Sequence, residues 1–178
     1  MAEAPDEELM LAYRDGDAGA FETLYTRHRA RLFRFVLRSI ESRASAEELY
    51  QEVWMRVIEA RATYKPSARF TTWLYTIAHH RMVDHWRRSG LSVISLEAVD
   101  VQGNDPGPQR HAEGREALAR FAAALESLPP AQREAFLLHE EAGLTVPEIA
   151  AATGSNAEAV KSRLRYALAK LKAAVDDG

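Results

Sequence analysis

With 178 residues, 47% of them hydrophobic, the chain can bury one respectable core or two small ones, and a soluble protein is expected. It has no cysteine, so disulfides and thiolate metal sites are excluded as well. Its net charge of −3 lacks the basic surplus usual for nucleic-acid binders, but the charge is segregated: basic residues gather at 27–38, 81–88 and 161–172, acidic ones at the amino terminus, at 47–52 and at 97–126.

The opening MAEAPDEELMLAYRDGD is acidic where a secretory leader is basic and then apolar. No later run reaches the roughly twenty apolar residues of a membrane span, so a cytoplasmic protein with no membrane insertion is expected. Asp6 and Asp17 are each placed to cap a helix. In the second helix Phe21, Leu24, Tyr25, His28, Leu32, Phe35 and Val36 recur at spacings of three and four, making one apolar stripe with the arginines mostly off it. His28 lies within that stripe and reads as a packed residue rather than a ligand. Ser45 with Glu48 has the form of a capping box, opening a third helix with Leu49, Val53 and Val57 on one face. Glu47, Glu48, Gln51 and Glu52 fall off that seam, as a solvated acidic face would.

The YKPSAR stretch, Tyr64–Arg69, breaks the pattern before a helix restarts at Phe70 and runs without Gly or Pro to Arg88. Tyr75, Ala78, Met82 and Trp86 share one side of this helix, whereas Trp73, Ile77, His80 and Asp84 share the opposite one. Two readings of it stay open on the residues alone. His79, His80, Asp84 and His85 could gather a metal, or Trp73, Trp86, Arg87 and Arg88 could belong to a surface that handles nucleic acid.

Beyond Arg88 periodicity fades, and Gly, Pro, Asn and Asp concentrate; residues 90–112 read as a linker between two domains. Helical patterning resumes near Arg115 with Leu118, Phe121, Ala122 and Leu125, and Pro129-Pro130 starts another helix. Thr145 with Glu148 forms a capping box, Gly154 ends a short helix, and Ser155 or Asn156 begins the next, which spells helix, tight turn, helix. In the last helix Val160, Leu164, Ala167, Leu171 and Val175 form the apolar stripe. Lys161, Ser162, Arg165, Tyr166 and Lys172 face outward, as a recognition helix in a major groove requires.

Taken together, AFETLY at 20–25, AEELYQEV at 46–53, FTTWLYTIA at 70–78, the 84–88 ending, SLPPAQREAFLL, LTVPEIAAATG and VKSRL fall in one order along nearly the whole chain. The chain resembles the extracytoplasmic-function (ECF) sigma factors of the sigma-70 family, the small initiation subunits of bacterial RNA polymerase. The resemblance implies an all-α fold of two small helical domains. Residues 1–89 would be a sigma-two bundle, 90–112 an extended linker along the polymerase, and 113–178 a sigma-four helix-turn-helix domain. It implies no catalytic residue, cofactor or metal. Its implied partners are promoter DNA and core RNA polymerase, through the beta-prime clamp coiled coil and the beta flap, with an anti-sigma factor by analogy alone.

By the same resemblance, Glu47, Glu48, Gln51 and Glu52 form the core-binding patch. Tyr64, Lys65, Ser67, Arg69, Phe70, Trp73, His80, Asp84, Arg87 and Arg88 serve the minus-ten element, with Tyr64 offering a stacking ring and packing favoured over DNA contact for Trp73. His139, Lys161, Ser162, Arg163, Arg165 and Tyr166 serve the minus-thirty-five element. The chain departs from the family pattern at His80, where asparagine is usual, at Ala159, where threonine is, at Tyr166, where arginine is, and at Leu168, commonly basic. Promoter sequence therefore does not transfer. Two rivals remain: a helix-turn-helix regulator acting without polymerase, and a helical-bundle metal enzyme using His80 and Asp84.

Overall fold

The computed structural model describes residues 3–90 and 114–176. Among them are eight α-helices and no strand: α1 (Asp6–Arg14), α2 (Ala18–Ser39), α3 (Arg43–Ala60), α4 (Phe70–Arg88), α5 (Gly114–Ser127), α6 (Pro130–Glu140), α7 (Val146–Thr153) and α8 (Ala157–Asp176), with one 3-10 turn at Arg61–Thr63. All-α is therefore the observed class. Apart from Gly90, the expected linker at 90–112 lies outside the described residues.

The helix starts show which local signals act. Asp17 caps α2, its Oδ1 accepting from the N–H groups of Gly19 and Ala20 at 3.0 and 3.3 Å. Asp6 does not cap α1, contrary to expectation. It lies inside the first turn, and its carboxylate is taken by Arg27 Nη1 at 3.0 Å and His28 Nε2 at 2.8 Å. Ser45 is not a cap either. Ser42 caps α3 by accepting from the Ser45 N–H at 3.3 Å, and the helix begins two residues before the expected box. In the carboxy-terminal half the signals act as read: Thr145 and Glu148 close a capping box, Gly154 takes the left-handed conformation at φ 65°, and Asn156 Oδ1 accepts from the Ala159 N–H at 2.9 Å.

α1 to α4 pack around Leu24, Leu32, Phe35, Leu49, Val53, Val57, Leu74, Tyr75 and Met82, all buried. His28 is buried beside them, its ring 5.2 Å from that of Phe70, so it is a packed residue as read. In the second half Leu125, Leu128, Leu137, Leu138, Ile149, Val160, Ala167 and Leu171 are buried. Not every expected stripe member is. Val175, in the last turn of α8, and Leu118, in the first turns of α5, are 41% and 70% exposed, Ala122 is exposed as well, and Phe121 and Leu164 are half-buried. Leu118 lines the mouth of a cavity of about 780 Å³ between α2, α5 and α6.

The halves touch. α7 lies on α4, and α6 reaches α2, so that the buried apolar residues form one continuous cluster. Replacing Leu24 with Ala should destabilise the fold by about 2–5 kcal/mol, whereas Asp17→Ala should cost about 1 kcal/mol. Urea unfolding of the two variants beside the parent checks the ranking.

Candidate nucleic-acid interface

The loop at 64–69 leaves α3 through the 3-10 turn and enters α4 at Phe70, whose N–H donates to Glu7 Oε1 at 2.8 Å. Lys65, Ser67 and Arg69 are exposed on it. Tyr64 is not. Its ring is 2% exposed and packs edge-on against Trp73 with centroids 5.0 Å apart, so in this arrangement it offers no face to a base, a correction to its expected stacking role. Phe70 is likewise buried, 5.7 Å from Trp73, so it too presents no ring. Trp73 itself is half-buried among these rings and packs as anticipated. Burial, with Glu7 and Asp6 nearby, pushes the Tyr64 hydroxyl up to about 12. That hydroxyl has no hydrogen-bond partner among the described residues.

Tyr75, Ala78, Met82 and Trp86 of α4 face inward, and His80 faces out, as the helical wheel requires. His80, Trp73, Ile77 and Arg81 line a shallow cavity of about 380 Å³ with Arg56, Glu59 and Ala60 of α3. Partial burial lowers the His80 pKa, and His79 and Arg81 add to the effect, against the opposing pull of Asp84 and Glu134. Its imidazole is therefore neutral at pH 7. Asp84 pairs with Arg81 at 3.1 Å, and Arg87 and Arg88 are exposed.

Glu47, Glu48 and Gln51 of α3 are exposed and Glu52 half-exposed, over a seam of buried Leu49, Val53 and Val57. Glu48, Gln51 and Glu52 face Arg81, Arg87 and Arg88 across an open cleft of about 900 Å³. Met55, which sequence reasoning did not single out, stands in that cleft 54% exposed. An exposed methionine in a mixed-charge cleft offers an apolar contact amid polar ones.

On α8 Lys161, Arg165 and Tyr166 are exposed, Ser162 and Arg163 partly so. Lys161 lies 3.7 Å from Glu158, and the Arg165 guanidinium stands 5.4 Å from the Tyr166 ring centre, a cation–π pair that presents the two together. His139 is exposed at the end of α6, its Nδ1 3.1 Å from Glu140.

The histidines do not assemble a site of their own. His79 Nδ1 lies 2.9 Å from both oxygens of Glu134, Asp84 pairs with Arg81, and His28 pairs with Asp6. Among the described residues no group of three or more His, Asp or Glu side chains is gathered to hold a metal. Sequence reasoning missed the contacts that cross between the halves, because His79 and Glu134 are 55 residues apart and no local pattern links them.

Two family matches follow this division of surfaces. Sigma-70 region 2 matches residues 24–91 and Sigma-70, region 4 matches residues 118–171. The RNA polymerase sigma factor CarQ of Myxococcus xanthus is 34% identical over 92% of this chain and 93% of its own. The chain belongs to the ECF sigma factors. The ECF RNA polymerase sigma factor SigK of Mycolicibacterium vanbaalenii is 32% identical over 93% of this chain and 87% of its own. A solved structure of CnrH in complex with the cytosolic domain of CnrY superposes with TM-score 0.71 at 27% identity, covering 96% of this chain and 97% of that one.

This sigma factor is thus an alternative sigma factor that binds core RNA polymerase and directs initiation at promoters, and sigma factors are transcription regulators. The readings as a polymerase-independent regulator and as a metal enzyme are not favoured. Among the described residues no helix is long and apolar enough to cross a membrane. Because the Tyr64 hydroxyl is buried without a partner, Tyr64→Phe should be neutral or stabilising by up to about 1 kcal/mol, while Tyr64→Ala should cost about 3–5 kcal/mol. Denaturant midpoints of both variants read this directly; a destabilised Phe variant would mean the hydroxyl is bonded.

Proposed function

We propose the following division of labour. Glu47, Glu48, Gln51 and Glu52 dock the factor on the beta-prime clamp coiled coil. Lys65, Ser67, Arg69, His80, Asp84, Arg87 and Arg88 handle the minus-ten element, with Tyr64, Phe70 and Trp73 supporting that edge from within. Lys161, Ser162, Arg163, Arg165, Tyr166 and His139 engage the minus-thirty-five element, and sigma-four also meets the beta flap. Residues 1–89 and 113–178 act as the two domains, joined by 90–112, in the cytoplasm and without enzymatic chemistry. An anti-sigma factor is a further partner, in keeping with CnrH, whose similar structure is a complex with the cytosolic domain of CnrY.

The observation that carries this reading is the exposure of both charged surfaces above buried seams: the acids of α3 over Leu49, Val53 and Val57, and the cations of α8 over Val160, Ala167 and Leu171. Charge spent on neither core nor cap is available to partners. His80 adds a refinement. A neutral imidazole presents one donor and one acceptor, enough to make the one-donor, one-acceptor pair that an asparagine amide can offer a base edge, so replacing the usual asparagine keeps that pair without adding charge.

Run-off transcription with core polymerase on a pool of genomic promoters tests the reading; specific duplex binding with no initiation would overturn it. Reversing Glu47 and Glu48 to Lys should weaken core affinity about tenfold or more with unchanged helicity, since both lie off the buried seam. Arg165→Ala should cost about 1–3 kcal/mol at promoters with a minus-thirty-five element and little at those without one. At pH 7.5, His80→Asn should leave promoter preference within about twofold of the parent. As pH falls through the lowered His80 pKa, the parent gains a cation and loses an acceptor, so its preference should shift while the Asn variant's stays put.

A further inference from the structure

The exposed stretch from Lys65 to Arg69 stands as an arch between two buried feet, Tyr64 at 2% and Phe70 at 0% exposure. Among the described residues its backbone makes one internal hydrogen bond, from the Ser67 N–H to the Lys65 carbonyl at 2.9 Å, so its course is decided mainly where the feet are held. Both holds come from α1. Arg14 Nη1 donates to the Tyr64 carbonyl at 3.5 Å, and Glu7 Oε1 accepts from the Phe70 N–H at 2.8 Å. The 3-10 turn that leads into the arch is gripped as well, its Arg61 guanidinium standing 5.0 Å from the centre of the Tyr13 ring.

The Phe70 end is the more demanding. The first N–H groups of a helix have no partner in the helix itself, and Arg69, at the cap position, supplies no side-chain bond. The Phe70 donor is therefore satisfied from another helix, by a residue 63 positions earlier in the chain. Glu7, Met10 and Arg14 lie at i, i+3 and i+7, which puts them on one face of α1 with fully buried Met10 between the two polar groups. The helix is itself seated on α2: the Asp6 carboxylate takes Arg27 Nη1 at 3.0 Å and His28 Nε2 at 2.8 Å, and the Tyr13 ring packs 4.8 Å from that of Phe21. α1 thus uses one set of side chains for its own seat and another for the two ends of the arch.

We propose that Glu7 and Arg14 are positioning residues for promoter recognition: by holding the feet of the 64–69 arch, α1 sets the orientation in which Lys65, Ser67 and Arg69 meet the minus-ten element. Neither residue needs to touch a base, because a shift of about 1 Å in groups that must align with a partner is costly in itself. This positioning rests on the minus-ten role proposed above for that loop, but the hold is measurable without DNA.

Amide hydrogen exchange read by nuclear magnetic resonance on the full chain tests the hold. Glu7→Ala should speed exchange of the Phe70 N–H about tenfold or more, because a bond to a charged acceptor is lost. Glu7→Gln, which keeps an acceptor at the same reach, should change it by less than about threefold. The amides of Leu24 in α2 and Leu49 in α3 should keep the parent's rates in both variants. An unchanged Phe70 rate in Glu7→Ala overturns the hold, and so does equal acceleration at all three amides, the mark of general loosening.

With core polymerase, run-off transcription is compared on a promoter taken from the genomic pool and on versions of it with single substitutions in the minus-ten or the minus-thirty-five element. Glu7→Ala and Arg14→Ala should each reduce the parent's minus-ten discrimination about threefold or more and leave its minus-thirty-five discrimination unchanged, and Glu7→Gln should restore the first. A ratio between templates does not respond to loss of active protein, so a merely structural role lowers all templates alike. That uniform loss, or no recovery with Gln, overturns the positioning. Lys65→Ala and Ser67→Ala without effect on minus-ten discrimination would overturn the loop's minus-ten role instead, and the exchange rates still decide the hold.

Discussion

α4 is buried on two sides by interactions of different kinds, and the positions of the other elements follow from that. On one side Leu74, Tyr75, Ala78, Met82 and Trp86 enter the bundle of α1 to α3, where burial is non-directional and loses nothing to competing water. On the other, Thr72 and His79 meet Glu148 and Glu134, bonds that water can replace at modest net cost. The first side makes the amino-terminal bundle a unit. The second sets polar and charged contacts beside the apolar ones where α7 and α6 meet the amino-terminal bundle.

The same asymmetry accounts for a DNA-directed protein with a net charge of −3. Two groups of its acids stand in contrast. Those of α3 stay in water, above a seam that needs none of them, while Glu134, Glu141 and Glu148 are folded against the basic residues of the first half. Burial would raise the Glu148 pKa, but the Thr145 hydrogen bonds, Thr72 and Arg69 outweigh it and hold the carboxyl below its ordinary range, so it stays charged at neutral pH. Whole-chain charge therefore understates the cationic surface that the separate halves would show.

What could be read in the sequence was what is decided within a few residues. Asp17, the Thr145–Glu148 box, Gly154 and Asn156 act where their spacing places them, because a cap needs only N–H groups two or three positions ahead. The inward faces of α2, α3 and α4 followed from apolar periodicity for the same reason. Asp6 defeated the local rule because Arg27 and His28, brought alongside by the α1–α2 turn, compete for its carboxylate. Ser45 lost to Ser42, an equally good capping residue three positions earlier. Among the candidate site residues the charged ones lie wholly or partly outside, as hydration demands, and Tyr166 is exposed as read, but Tyr64 and Phe70 are buried. Whether Tyr64 shows a face or hides it depends on Trp73 across the loop, and ring burial is fixed by tertiary packing that periodicity does not encode.

His80 shows how far chemistry can carry a departure from a family pattern. Read as a residue type it is a potential cation, a metal ligand and a change of size all at once. Its surroundings remove the first two. Partial burial with His79 and Arg81 beside it disfavours the charged ring, and the neighbouring histidine that could have shared a metal is occupied by Glu134. What remains is a neutral group with a donor and an acceptor on the outward face of α4, above a shallow cavity lined by Trp73 and Ile77. An amide and a neutral imidazole are both planar and each joins a donor to an acceptor, but the amide has two N–H donors and two acceptor lone pairs where the imidazole has one of each. Environment therefore decides which of its characters this histidine shows: the neighbouring cations and partial burial favour its neutral, hydrogen-bonding form over the charged one.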